Sequence, residues 1–137
     1  MPLRVFPVAA TGRPTFSDDF GKPRSGGRSH LGNDIFAPEG TPVLAVDDGQ
    51  LQLDRPLTAL GGITAFLRGQ DGTGYHFAHL SGTEGHTRKV SAGEVIGYVG
   101  RTGNAATTSP HLHFEMYPGG GPPVDPFDSL RAVFPSG

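Results

Sequence analysis

The stretch Ser109-Pro110-His111-Leu112-His113-Phe114-Glu115 reads as a β-strand with two different faces. Successive side chains on a strand point to opposite sides, so Leu112 enters a core while His111, His113 and Glu115 share the other face. Neutral imidazole is both a common metal ligand and the side chain best matched to proton transfer near pH 7, so such a pair suits binding and catalysis alike.

Working outward, Arg28-Ser29-His30-Leu31-Gly32-Asn33-Asp34-Ile35 sets a histidine and a carboxylate four residues apart. An even spacing keeps both on one face of a strand, and four also keeps them together on a helix. Gly32 and Asn33 inside the run, Gly26-Gly27 before it and Pro38 after it argue against a helix and for a loop entering a strand. Two nitrogens from His30 and His113 with one oxygen from Asp34 make a three-ligand set. Its open fourth position is the arrangement of a catalytic zinc rather than a structural one. In Tyr75-His76-Phe77-Ala78-His79-Leu80 the odd spacing predicts His76 and His79 on opposite faces, so only one of them serves the site.

The rest of the chain predicts an all-β fold, a compact antiparallel sheet or sandwich with long Gly/Pro-rich loops. The 22 glycines and 13 prolines punctuate short apolar runs rather than forming a low-complexity tract. Residues 41–46, 50–53, 63–67, 75–80, 95–99 and 112–116 read as strands, with Asp47-Asp48-Gly49 and Asp71-Gly72 as hairpin turns. Asp125 to Val133 predicts a short closing helix, capped near Asp125 or started at Pro126. The 137 residues suit one domain, with 1–29 as an irregular entry segment walling the site and 30–130 as the catalytic core. Gly119-Gly120-Gly121-Pro122-Pro123 reads as a loop.

A formal charge of −2 offers no basic footprint for nucleic acid. No apolar run is long enough to span a bilayer. The absence of cysteine removes disulfides and thiolate zinc sites. Met1-Pro2-Leu3-Arg4 without an apolar stretch is not a secretory signal.

Together the motifs His30-x-x-x-Asp34, Phe77-Ala78-His79-Leu80 and Pro110-His111-Leu112-His113-Phe114 resemble the lysostaphin-like (LytM-type) family of bacterial zinc endopeptidases. Asp34 to Val43, Ala45 with Asp48-Gly49, Val95 to Gly103, and Phe20-Gly21 with Arg24 extend the likeness over roughly residues 16 to 130. The resemblance implies a duplicated-hybrid-motif-like fold and one zinc held by His30, Asp34 and His113. It selects His79 rather than His76 and assigns His79 and His111 to catalysis. It also implies peptidoglycan peptide as substrate, and an extracellular, periplasmic or cell-wall location. Phe77 stands where the family often has Tyr, and Asn104 to Thr108 replaces a commoner Ser-Thr-Gly stretch.

With zinc-activated water as nucleophile, His111 is the expected base and His79 the expected oxyanion partner, although the sequence does not separate the two roles. Glu115 reads as an outer hydrogen-bond partner of a ligand imidazole, with a surface carboxylate at the strand end as its alternative. His76, His86 and Asp18-Asp19 read as solvated surface, and Arg24 and Arg28 as solvated or meeting substrate carboxylates. Two other classes compete. One is a non-catalytic peptidoglycan-binding or amidase-activating module of the same fold. The other is a biotinyl- or lipoyl-like carrier, suggested by Val90 to Gly97 and disfavoured because neither Lys22 nor Lys89 is central to a tight turn.

Overall fold

The computed structural model describes residues 3–23, 30–53, 57–106 and 108–135. Its strands are β1 (Thr15–Phe16), β2 (Asn33–Phe36), β3 (Pro42–Leu44), β4 (Gly49–Gln52), β5 (Ile63–Gly69), β6 (Gly74–Thr83), β7 (Arg88–Val90), β8 (Val95–Val99) and β9 (His111–Tyr117). Every pairing is antiparallel, so the all-β expectation holds. The strand order is β1-β2-β9-β6-β5-β4-β7, with β8 joining β6 to β3.

β6 is the organising strand because it changes neighbour partway along its length. Gly74 to Ala78 pair with β9, whereas Leu80 to Thr83 pair with β8. His79 lies at the changeover with φ of 66°, a left-handed conformation rare outside glycine. On the β5 side, Ile63 faces Leu80 and Ala65 faces Phe77, so Ala78 and His79 together oppose Thr64 alone. This is a β-bulge, and it resets the alternation of side chains along β6.

The core takes one face of each strand: Leu112, Phe114 and Met116 from β9, Tyr75 and Phe77 from β6, Leu67 and Ala65 from β5, and Leu51 from β4. Truncating a buried Phe to Ala typically costs about 3–5 kcal/mol, so this layer fixes the sheet that presents the opposite face.

Several sequence expectations need correction. Asp47-Asp48-Gly49 closes no hairpin, because β3 pairs with β8 while β4 pairs with β5 and β7. Its carboxylates instead accept loop amides, Asp48 N–H to Asp47 Oδ1 at 2.8 Å and Ala92 N–H to Asp48 Oδ1 at 2.8 Å. Asp71-Gly72 does close the β5–β6 hairpin, with Gly72 at φ 86°.

The described part of the entry segment is more than a wall of the site. Leu3, Phe6 and Val8 are buried in the core, and the backbone runs along β3 through Leu44 N–H to Pro7 O and Ala9 N–H to Pro42 O. The short strands β1 and β7, absent from the sequence reading, carry little local signal. The closing helix α1 (Phe127–Ala132) is shorter than expected at both ends. Asp125 Oδ1 accepts the Phe127 N–H at 3.0 Å. The rings of Phe6, Phe16, Phe127 and Phe134 cluster at the chain's two ends.

Candidate metal and catalytic site

The site is built on the face of β9 opposite the core. Pairing of β2 with β9 sets Asp34 beside His113 and Phe36 beside His111. His30 arrives from the loop before β2. A Cβ on Gly32 would run into the Phe114 carbonyl, so glycine lets that loop lie directly on β9 and brings the His30 ring to the His113 ring, with centroids 4.8 Å apart.

Three atoms converge there. His30 Nε2 is 3.0 Å from Asp34 Oδ1 and 2.9 Å from His113 Nδ1, and His113 Nδ1 is 3.1 Å from Asp34 Oδ1. The other nitrogen of each ring faces an acceptor: His30 Nδ1 donates to the Asp19 carbonyl at 3.1 Å, and His113 Nε2 donates to Glu115 Oε2 at 2.6 Å. A carbonyl can only accept, so in the neutral tautomers His30 Nε2 and His113 Nδ1 hold lone pairs. Two imidazole lone pairs and a carboxylate oxygen therefore point at one another, an arrangement that a cation relieves. Tetrahedral zinc with N/O ligands at about 2.0–2.1 Å sets ligand–ligand separations of about 3.3 Å, close to this triangle. The residues fit the metal that the motif implies, with one coordination position left over.

The electrostatics agree. Burial opposes charge on His30, but its hydrogen bonds to the Asp19 and Asp34 carboxylates outweigh it and raise its pKa to about 9. Burial likewise opposes charge on Asp34, yet hydrogen bonds from His113 and His30, with the nearby charge of His111, hold its carboxyl well below the usual range. His113 is raised, again against burial, by Asp34 and Glu115. The pocket is thus tuned to favour positive charge among its donors.

Two further imidazoles face the same place. His111 Nδ1 donates to the Ser109 carbonyl at 2.9 Å, and its Nε2 lies 3.7 Å from Asp34 Oδ1. His79 Nδ1 donates to the Thr102 carbonyl at 2.8 Å, and its ring centroid is 5.0 Å from that of His111. The left-handed His79 backbone is held by its N–H to Gly61 O at 2.8 Å. Thr102 pins the same bulge by accepting Ile63 N–H and donating to Leu80 O. Burial pushes the His79 imidazole down to about 4, reinforced by the positive charges of His111 and His113.

The structure brings His30, Asp34, His79, His111, His113 and Glu115 together. It corrects the expected opposition of His76 and His79, because the bulge turns His79 onto the face that His76 already occupies. His76 is not simply solvated: its Nδ1 lies 3.2 Å from Glu115 Oε1, the oxygen that also accepts from the Tyr117 hydroxyl. Burial alone would raise the Glu115 carboxyl, but the hydrogen bonds from His113 and His76 hold it well below its ordinary range. Asp19 is the second correction, since it accepts from His30 and, through Oδ1, from Asn33 Nδ2 at 2.9 Å. Only the cross-strand register of His76 with Glu115 and the path of the loop carrying Asp19 disclose these contacts. His86 is exposed, as expected. Arg24 and Arg28 lie outside the described residues.

An antiparallel sheet presenting two imidazoles and a carboxylate around one point, flanked by two more imidazoles, is the architecture of a metallopeptidase. The chain belongs to peptidase family M23, whose model matches residues 28–126. It is 40% identical over 99 residues to the DD-carboxypeptidase/endopeptidase Mpg of Neisseria meningitidis, covering 72% of this chain and 22% of that protein. The chain thus spans about a fifth of that relative's length.

Among solved structures, the catalytic domain of lysostaphin, an antimicrobial peptidase of Staphylococcus simulans, superposes with a TM-score of 0.74 at 29% identity. That match covers 90% of this chain and 98% of that one. A zinc-containing peptidase from Vibrio cholerae matches with a TM-score of 0.76 at 26% identity, covering 98% of this chain and 41% of that one.

Proposed function

We propose that this chain is the catalytic domain of a zinc-dependent endopeptidase that hydrolyses peptide bonds in bacterial peptidoglycan, acting outside the cytoplasmic membrane. The observation that carries the reading is the convergence of His30 Nε2, Asp34 Oδ1 and His113 Nδ1, each imidazole with its other nitrogen tied to an acceptor. Family membership and the peptidase relatives support the substrate class.

His30, Asp34 and His113 would hold the ion. Held there, zinc would supply the chemistry of a Lewis acid, lowering the pKa of a water to about 7 and polarising a carbonyl. His111 takes the proton of the attacking water: its Nδ1–H is fixed on Ser109, which leaves Nε2 bare and 3.7 Å from the Asp34 oxygen. His79, with Nδ1–H fixed on Thr102, leaves its other nitrogen free, in a ring whose centroid lies 5.0 Å from that of His111 and 6.0 Å from that of His113. The proton that His111 takes from the water, relayed to His79 whose ring centroid is 5.0 Å away, would let that nitrogen donate to the developing oxyanion and then deliver the same proton to the leaving amine. Glu115 keeps His113 in the tautomer that exposes Nδ1, and Asp19 does the same for the Nε2 of His30.

The test is a digest of purified sacculi with zinc-loaded protein. Free amino groups should accumulate without new reducing sugar ends, since zinc-activated water attacks carbonyls whereas glycoside hydrolysis uses a pair of carboxyl groups. Release of reducing ends alone overturns the peptidase reading. Release of neither kind from several wall types supports the non-catalytic binding module.

A further inference from the structure

The face of the sheet that carries His113 continues beyond it. Cross-strand register sets Asp34, His113 and Ala78 in one row, Glu115, His76 and Phe66 in the next, and Tyr117, Gly74 and Arg68 in the one after. Directly opposed residues of antiparallel strands share a face, so these rows line one continuous surface. Over the last two rows lies an open pocket of about 360 Å³, lined by Phe66, Arg68, His76, Glu115, Tyr117 and Gly120. Gly74 lies beneath the Phe66 ring. A Cβ there would stand 2.6 Å from Phe66 Cζ, so the Phe66 ring rests directly on the bare backbone.

Among the described residues, the two charged side chains that line this pocket, Arg68 and Glu115, form no ion pair with each other. Glu115 is engaged internally, with Oε2 accepting from His113 and Oε1 accepting from His76 and the Tyr117 hydroxyl. Burial and the Glu115 carboxylate both raise the Tyr117 phenol, which stays a neutral donor. Arg68 is exposed and, among the described residues, its side chain has no ion-pair or hydrogen-bond partner. Lys89 lies in the same row beyond Gln50, extending the positive end away from the site. What Arg68 lacks among the described residues is a carboxylate partner, and the planar guanidinium is the group best shaped to bind one through two hydrogen bonds.

We propose that this pocket is a substrate subsite in which Arg68 captures a carboxylate of the peptide while the Phe66 and Tyr117 rings flank its apolar part. Two rows along a strand is about 13 Å, and an extended peptide advances about 3.3–3.6 Å per residue. After allowing for the reach of the arginine, the captured carboxylate lies about two to four residues from the bond cut. The subsite rests on the endopeptidase reading for its substrate, but its binding can be measured separately. The carboxylate can be internal, on an acidic residue, or the terminal one of the chain.

The probe is the peptide L-Ala–γ-D-Glu–L-Lys–D-Ala with both carboxylates free, compared with its two singly amidated forms. Binding to the whole chain is measured by calorimetry. One amidation should weaken binding about tenfold and so identify the source of the carboxylate. Arg68→Gln should weaken the free peptide by about the same factor and erase the difference between the three, and Arg68→Glu should weaken it further. In sacculus digests with zinc-loaded protein, Arg68→Gln should raise KM and leave kcat within about twofold.

Equal binding of all three peptides by the unaltered protein, or unchanged binding by Arg68→Gln, overturns the subsite whatever the digest shows. Arg68-dependent binding of the carboxylate with no release of amino groups from any wall leaves the subsite standing and overturns the peptidase reading.

Discussion

β9 and β6 each bring two imidazoles to the same face of the sheet, and they do it by opposite means. On β9, His111 and His113 are two residues apart and strict alternation suffices. On β6, His76 and His79 are three apart, and only the left-handed residue at 79, where the strand exchanges β9 for β8, turns the second ring onto that face. The first arrangement is written in the local pattern. The second is imposed by tertiary pairing, and it places backbone strain at a residue proposed for catalysis, where such strain is often found.

The largest expected effect tests whether the two strands contribute equally. His111→Ala on β9 and His79→Ala on β6 should each lower kcat about 10²–10⁴-fold while retaining zinc, as expected for groups that move protons rather than hold metal. Near-normal turnover in either variant, with zinc confirmed, removes that residue from the mechanism.

A smaller effect probes the link that joins the strands. Glu115 sits on β9 but is held partly by His76 of β6, so Glu115→Gln should weaken zinc affinity about 10–100-fold by loosening the His113 tautomer. His76→Ala should move affinity in the same direction by less, because the Tyr117 hydroxyl still donates to Glu115. Unchanged zinc affinity in Glu115→Gln shows that the carboxylate does not position His113.

The smallest effect is the most specific to the comparison. At position 79 glycine should be more stable than alanine by about 1 kcal/mol, because glycine alone adopts the left-handed backbone without penalty. At position 111 the order should reverse, with alanine better by about 0.5–1 kcal/mol, as in an ordinary strand. Comparing Gly with Ala at each position cancels the loss of the ring, and urea denaturation of the four variants supplies the numbers. The same order at both positions removes the bulge from the account.

The contrast also explains what could be read in advance. Residues 95–99 were expected as a strand and are β8, and Leu112, Ile35 and Val43 fall in the core because their alternation is local. The Asp47-Asp48-Gly49 hairpin failed because those carboxylates serve loop amides at residues 48 and 92, a use that depends on where β7 and β8 return. His76 looked solvated because its partner, Glu115, is 39 residues away and meets it only through register. Asp19 is hidden for a similar reason, since the carbonyl that orients His30 comes from a loop 11 residues upstream. Direct contributors to the site lay in recognisable motifs, while the groups that orient them lay in the pairing of distant segments.

His30, Asp34 and His113 are proposed to form one metal site whose geometry the sheet imposes. Its most direct test is elemental analysis after equilibrium dialysis against zinc. The protein should hold one equivalent, His79→Ala and His111→Ala should hold the same, and His113→Ala should hold none. A full equivalent retained by folded His113→Ala contradicts the assignment.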